Sequence, residues 1–259
     1  MDSSVAGSAM QVGASTLLPV VWSQFKDVDL HARHHSPCRG GDFFDAFPVG
    51  RHVLFLLTDI AGPQPQAREL ASQVQSAFRQ KALELFAGSE VNESDALAEL
   101  AHAFNLAVIE AAQGLRFAPT FLGCFNLTHG ILSYCNAGNM LALVRSGGNV
   151  RVLESSGMPL GLFSHTTFEA AILALQPGDA VLVVTKGVTG SRRGATDFGL
   201  ERVERMLKDA TTASASAICE DVLREAHDFS HHPWSRFLGL FQKNESRTDD
   251  LTALALVRR

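Results

Sequence analysis

Apolar positions along this chain repeat with two different periods. Short runs rich in β-branched and aromatic residues, bounded by Gly, Pro, Asn or Asp, predict strands over Val28 to Arg33, Phe43 to Val49 and Val53 to Thr58. The same signal recurs over Phe121 to Leu127, Ile131 to Cys135, Leu141 to Arg145, Val150 to Leu153, Phe168 to Leu175, Val181 to Thr185 and Leu251 to Val257. Ser146-Gly-Gly-Asn149, between two of them, is a hairpin-turn signal. Mostly three- and four-residue spacing of Leu70, Val74, Ala77, Phe78, Leu83 and Leu85 predicts a helix over Arg68 to Phe86. A second helix is expected from Ser94 to Ala112, with Gly114 as its stop, and two more over Leu200 to Leu207 and Ser214 to Phe229.

Blocks of strands, a helix pair, more strands and more helices favour an α+β fold over an alternating one. About ten short strands are too many for one flat sheet. Two packed β-sheets, a β-sandwich with helices outside, are therefore expected. The expected organisation is a mobile Ser/Ala/Gly-rich tail at 1–15 and one domain over 16–259. Within that domain 230–247 is more apolar than a loop needs, through Pro233-Trp234 and Phe237-Leu-Gly-Leu-Phe241. It reads as an irregular flap on the core or as a partner-binding surface.

Composition narrows the function classes. A net charge of −5 with scattered Lys and Arg lacks the basic stripe that nucleic acid requires. No apolar run of 18 residues occurs, so no membrane span is expected. Cys38, Cys124, Cys135 and Cys219 are far apart and form no CxxC pair, which fits a reduced, cytoplasmic chain. His31, His34 and His35 with His231 and His232 raise the idea of zinc, but no acid or Cys spacing supports a site against ordinary surface histidines.

The candidate chemistry lies where buried strands end in charge. His52-Val-Leu-Phe-Leu-Leu-Thr-Asp59 and Asp179-Ala-Val-Leu-Val-Val-Thr-Lys186 are near-matches, one closing on an aspartate and the other on a lysine. Asp42, in Gly40-Gly-Asp-Phe-Phe-Asp45, and Asp249-Asp250, before Leu251, are placed similarly. Aspartates converging from strand ends suit Mg²⁺ or Mn²⁺, which take oxygen ligands. A pair of such ions can hold a water for attack on phosphorus. Taken alone, Asp59 also fits a turn-capping role. Asp250 reads as a solvated neighbour or a group behind the ligands rather than a direct ligand, and Asp45 as a stabiliser of its own turn. Arg39 suits a bidentate phosphate contact, and equally a surface loop.

Taken in order, eight segments resemble the PPM-type metal-dependent protein serine/threonine phosphatases, in the SpoIIE/RsbU branch. They are Gly40-Gly-Asp-Phe-Phe-Asp45, Thr58-Asp-Ile-Ala-Gly62, Asn136-Ala-Gly-Asn139, Pro159-Leu-Gly-Leu162, Leu175-Gln-Pro-Gly-Asp179, Thr185-Lys-Gly-Val188, Phe198-Gly-Leu-Glu-Arg202 and Asp249-Asp-Leu-Thr252. The resemblance implies a helix-flanked β-sandwich, two Mn²⁺ or Mg²⁺ ions, and hydrolysis of phosphoserine or phosphothreonine on a regulatory protein such as an anti-sigma-factor antagonist. It implies Asp59 as the aspartate shared by both metals, the Ile60 carbonyl as a further ligand, Asp249 as the late metal aspartate, and Asp42 as the early acidic residue. Asp59 and Asp249 are the expected catalytic centre.

The family's remaining metal aspartate falls at Lys186. Gly62-Pro63-Gln64 and Asn139 replace its usual histidine-containing turns. At an effective dielectric of about 20, unit charges 4 Å apart interact by roughly 4 kcal/mol, and a divalent ion doubles this. A micromolar-to-millimolar metal site holds only about 4 to 8 kcal/mol. An inward Lys186 would therefore displace one metal, leaving one ion or none; an outward Lys186 would spare it. Two functions of different class follow: a phosphoprotein phosphatase, or a catalytically silent relative that binds a partner.

Overall fold

The structure is a computed structural model that describes residues 25, 27–35, 41–60, 64–211, 213–231 and 250–259, with backbone alone for 64–68. The expected tail, Arg39, Gly62-Pro63, Asp249 and nearly all of 230–247 lie outside the described residues.

Two five-stranded antiparallel sheets face each other. In the first, β1 (Val28–His35) is followed by β12 (Leu251–Arg258), β9 (Ala180–Val184), β6 (Leu141–Ser146) and β7 (Asn149–Val152). In the second, β2 (Asp42–Val49) is followed by β3 (His52–Asp59), β4 (Thr120–Asn126), β5 (Ile131–Ala137) and β8 (Ala171–Ala174). The expected α+β sandwich is therefore the observed one. Side chains alternate across each strand, so every sheet has an inner and an outer face. Phe55, Phe121, Phe125, Val181, Val183, Leu254 and Leu256 fill the space between the sheets. Phe55 also covers Gly123 of the neighbouring strand, where a Cβ would lie 2.2 Å from its ring.

Helices α1 (Gln64–Phe86) and α2 (Glu93–Ala111) bury Val74, Phe78, Leu97, Leu100 and Phe104 against Leu54, Leu56 and Leu122 on the outer face of the second sheet. Asn92 caps α2 by accepting from the Asp95 amide, and Gly114, at φ +69°, ends it through a bond to the Ile109 carbonyl. On the other side, α4 (Leu200–Asp209) and α5 (Ala215–Ser230) cover Leu182, Val184, Ala253 and Ala255. The guanidinium of Arg145, on β6, donates to the carbonyls of Leu207 and Ala210 at the end of α4, and so supplies partners that a helix C-terminus lacks. The sequence pattern missed the four-residue α3 (Lys186–Thr189) and the hairpin of β10 (Arg192–Arg193) with β11 (Thr196–Asp197), which are too short to show a period. It also overran β8, an edge strand paired only to Ile131 through Tyr134. Among the described residues no helix is long and apolar enough to cross a membrane.

One ion pair pins α1 to the sheet. Asp45 is fully buried on the outward side of β2 and takes two bonds from Arg79, at 2.7 and 2.6 Å, plus the Ala46 amide. It thus ties a helix to a strand as well as holding its local backbone. Removing one partner of such a buried pair strands the other charge, at about 3–5 kcal/mol. Arg79→Ala is expected to cost that much in chemical denaturation. Asp45→Ala added to it should recover part of the loss; a simple sum of two penalties would contradict the pairing.

Candidate metal centre at one end of the sandwich

The polar cluster forms where both sheets end on the same side. On the first sheet, His34 of β1 lies opposite Thr252 of β12, and Thr185, just after β9, donates its amide to the Thr252 carbonyl at 3.0 Å. Alternation puts His34 on the same face as Leu30 and Ala32, Thr252 with Leu254, and Thr185 with Val183, all of them in the inter-sheet core. A row of three polar side chains therefore closes the apolar core. On the second sheet, Asp42 and Asp59 are direct cross-strand partners, on the inner-facing phase of β2 and β3 shared with Ala46 and Phe55.

Hydrogen bonds join the two rows. Thr185 Oγ1 donates to Asp42 Oδ2 at 2.8 Å, and Thr252 Oγ1 donates to the same oxygen at 2.5 Å. His34 Nδ1 lies 2.7 Å from Thr252 Oγ1. Asp250 is 6% exposed, and ligand atoms of His34, Asp42 and Asp250 lie within 4.8 Å of one another. Of the two roles expected for Asp250, this burial excludes the solvated one. The residue directly precedes β12, and its carbonyl faces the Thr185 hydroxyl at 3.3 Å, which draws it into the sandwich end.

Like charges set the electrostatics. Burial first, then the facing Asp59 and the nearby Asp250, push the Asp42 carboxyl well above the usual carboxylate range, against the two threonine hydroxyls that favour its ionised form. Burial also holds His34 below the usual imidazole range, against the pull of Asp250. A divalent cation is the natural counterion for such a set.

The Ile60 carbonyl is at the same end. The Ile60 amide donates to Gly41 at 3.1 Å, and a Cβ on Gly41 would fall 2.0 Å from the Ile60 oxygen, so only glycine fits beside it. Lys186 is exposed as the first residue of α3, directly after Thr185, which faces inward. Asp42, Asp59 and Ile60 are thus brought together, Lys186 stands at the rim with its side chain in solvent, and Asp249 and Arg39 fall outside the described residues.

The remaining motifs shape turns. Asn136 accepts from the Met140 amide and donates to the Met140 and Leu153 carbonyls, while Asn139 sits at φ +62°, a conformation asparagine tolerates. Leu160 exchanges two backbone bonds with Ala118, and the Gly161 amide reaches Asn105 Oδ1 at 2.8 Å. Asp179 accepts from the Gln176 amide and from Ser146. Arg202 lies over Phe229, 4.6 Å from its ring centre. The sequence alone reads His34 as an ordinary surface histidine, and Thr185 and Thr252 only as parts of motifs, with no role of their own. Their signal was parity: each continues the inner-facing alternation of its strand by one step.

The family model described as Stage II sporulation protein E (SpoIIE) matches residues 50–259. Protein IcfG of Synechocystis sp. (strain ATCC 27184 / PCC 6803 / Kazusa) is 33% identical over 113 residues, 42% of this chain and 17% of that protein. The matched stretch is thus under a fifth of that relative's length. Among solved structures, the RsbU and RsbW domains of Rv1364c from Mycobacterium tuberculosis superpose with a TM-score of 0.70 at 22% identity, covering 90% of this chain and 62% of that one. The PP2C phosphatase domain and regulatory fragment of the cell fate determinant SpoIIE from Bacillus subtilis gives a TM-score of 0.67 at 16% identity, covering 89% and 61%.

The Asp42 charge yields a stability prediction. A carboxyl whose proton affinity is raised by folding binds that proton more tightly in the folded chain, so stability falls as pH rises beyond the ordinary carboxylate range. Asp42→Asn should therefore raise the melting temperature of the metal-free protein at neutral pH and abolish the further rise that Mn²⁺ gives the wild type. A metal-free variant that melts lower than wild type would contradict this.

Proposed function

We propose, because the chain belongs to the Stage II sporulation protein E (SpoIIE) family, that it is a metal-dependent phosphatase domain that hydrolyses phosphoserine or phosphothreonine on a regulatory protein. The observation that carries this reading is the facing pair Asp42 and Asp59 at an end of the sandwich where polar side chains from both sheets meet. The residues fit a hard divalent cation: two carboxylates paired across a ladder, a third buried beside them, and a carbonyl at Ile60. Asp42, Asp59, the Ile60 carbonyl and Asp249 would hold Mn²⁺ or Mg²⁺. Such an ion supplies positive charge that offsets the carboxylates and the phosphoryl oxygens.

The chain's own contribution is position. Two threonine hydroxyls fix the rotation of Asp42, and the β2–β3 ladder fixes its spacing from Asp59. Arg39, three residues ahead of Asp42, suits the phosphoryl group. The substrate we favour is a phosphorylated signalling protein of the anti-sigma-factor-antagonist kind, handled by one domain over 16–259 in the cytoplasm. A second reading rests on Lys186. With its side chain in solvent it adds no cation to the site, but the carboxylate of the family pattern is missing there, and the lost ligand favours a weakened or single-metal centre, and in the extreme a silent domain that binds its partner without hydrolysis.

Turnover of p-nitrophenyl phosphate and of a phosphoserine peptide, with Mn²⁺ in excess, tests both. Asp59→Asn should lower kcat at least about 100-fold, or roughly 2.7 kcal/mol, with an unchanged melting curve. Unchanged turnover would place the chemistry elsewhere. Lys186→Asp should raise calorimetric Mn²⁺ affinity about tenfold or more and increase the rate with it. Recovered metal binding without hydrolysis would support the partner-binding domain; no gain in metal binding would remove Lys186 from the account.

A further inference from the structure

We propose that His34 is a nitrogen ligand: its Nε2, with one carboxylate oxygen each from Asp42 and Asp250, forms a site for a single first-row transition-metal ion. The inference deepens the metal-dependent reading above and rests on it in sharing Asp42. It departs from that reading in adding an imidazole to an oxygen-only set.

Proton bookkeeping carries the argument. With Asp42 ionised, as a metal-ligating carboxylate is, the single Thr252 hydroxyl proton is directed to Asp42 Oδ2 at 2.5 Å. The ring nitrogen 2.7 Å from the same hydroxyl oxygen, His34 Nδ1, must then be the donor. A neutral imidazole with its proton on Nδ1 has a lone pair on Nε2. Among the described residues that atom is shielded from solvent and has no hydrogen-bond partner, while nearly all the other described buried side-chain polar atoms are satisfied. Ligand atoms of His34, Asp42 and Asp250 meet within 4.8 Å, a span a single cation can bridge.

The surroundings match how ligating histidines are built. Such a residue ordinarily donates its second ring N–H to an oxygen acceptor, which fixes tautomer and ring orientation. Here the relay runs from Nδ1–H to Thr252 and on to Asp42. The opposed position of His34 and Thr252 in the β1–β12 ladder holds the first step in register. Imidazole shifts preference from Mg²⁺ toward Co²⁺, Ni²⁺ or Zn²⁺, since nitrogen donors suit the later first-row metals. The other histidines at this side behave differently. His227 stacks on His231 and meets His35 at a tilt, with ring centres 4.1 and 4.3 Å apart, outside the sandwich.

The test uses the full chain and the metals alone, without any phosphorylated substrate. Cu²⁺ is added at one equivalent and read by electron spin-echo envelope modulation, which detects a coordinated imidazole through its remote ¹⁴N. Co²⁺ and Mg²⁺ affinities are measured by calorimetry. Wild type should show one strong ¹⁴N coupling and bind Co²⁺ at least tenfold more tightly than Mg²⁺. His34→Gln, with a melting curve recorded beside it, should lose the coupling and at least tenfold in Co²⁺ affinity, while Mg²⁺ affinity changes less than twofold. Thr252→Val, which removes the orienting hydroxyl, should weaken Co²⁺ binding in the same direction. Wild type without ¹⁴N coupling, or His34→Gln that retains it, overturns the proposal. Asp59→Asn separates the two readings: coupling that persists in this variant, whose loss of phosphatase activity is read in the turnover assay above, supports the His34 site independently of the catalytic one.

Discussion

Everything at the functional end of this molecule depends on one carboxylate being held between two sheets. Asp42 starts a strand of the second sheet, yet its Oδ2 takes hydroxyl protons from Thr185 and Thr252, both on the first. Those bonds close the sandwich where the apolar filling of Phe55, Phe121 and Val183 runs out. Charge-assisted bonds of this kind are the strong ones, and two of them converge on one oxygen. The cost is that Asp42 faces Asp59 across a ladder with Asp250 close by, an arrangement that opposes ionisation. A bound divalent cation would offset that repulsion.

The rest of the fold serves that placement. The Asp45–Arg79 pair anchors α1 to β2 three residues from Asp42. Gly41 lets the chain entering β2 pass against the Ile60 carbonyl. On the opposite side, α5 packs under β1 and β12, the strands that present His34 and Thr252. Each sheet brings half of the cluster, so the site exists only when the two are stacked.

Much of this was legible in the sequence, for identifiable reasons. Strand runs such as Val53 to Thr58 and Val181 to Thr185 are apolar on both faces because helices cover their outer sides, so they announced themselves without ambiguity. The charges that close them, Asp59 and Lys186, marked the rim. What stayed hidden was pairing. Nothing in the sequence says that β1 lies beside β12, and only that neighbour relation puts His34 against Thr252. Asp250 looked solvated for the same reason: its burial comes from a contact with Thr185, remote in the chain. The short α3 was unreadable because four residues carry no period, although it is the element that turns Lys186 toward solvent. Several motifs that suggested a site, among them Asn136 to Asn139 and Pro159 to Leu162, are turn devices whose hydrogen bonds are satisfied internally.

The central claim is that this sandwich end is a divalent-cation site. Anomalous diffraction from crystals soaked in Mn²⁺ tests it most directly. The account predicts a peak in contact with Asp42 and within ligand distance of Asp59 or Asp250, with Lys186 remaining in solvent. Full-occupancy manganese bound elsewhere, with Asp42 still held only by Thr185 and Thr252, would contradict it.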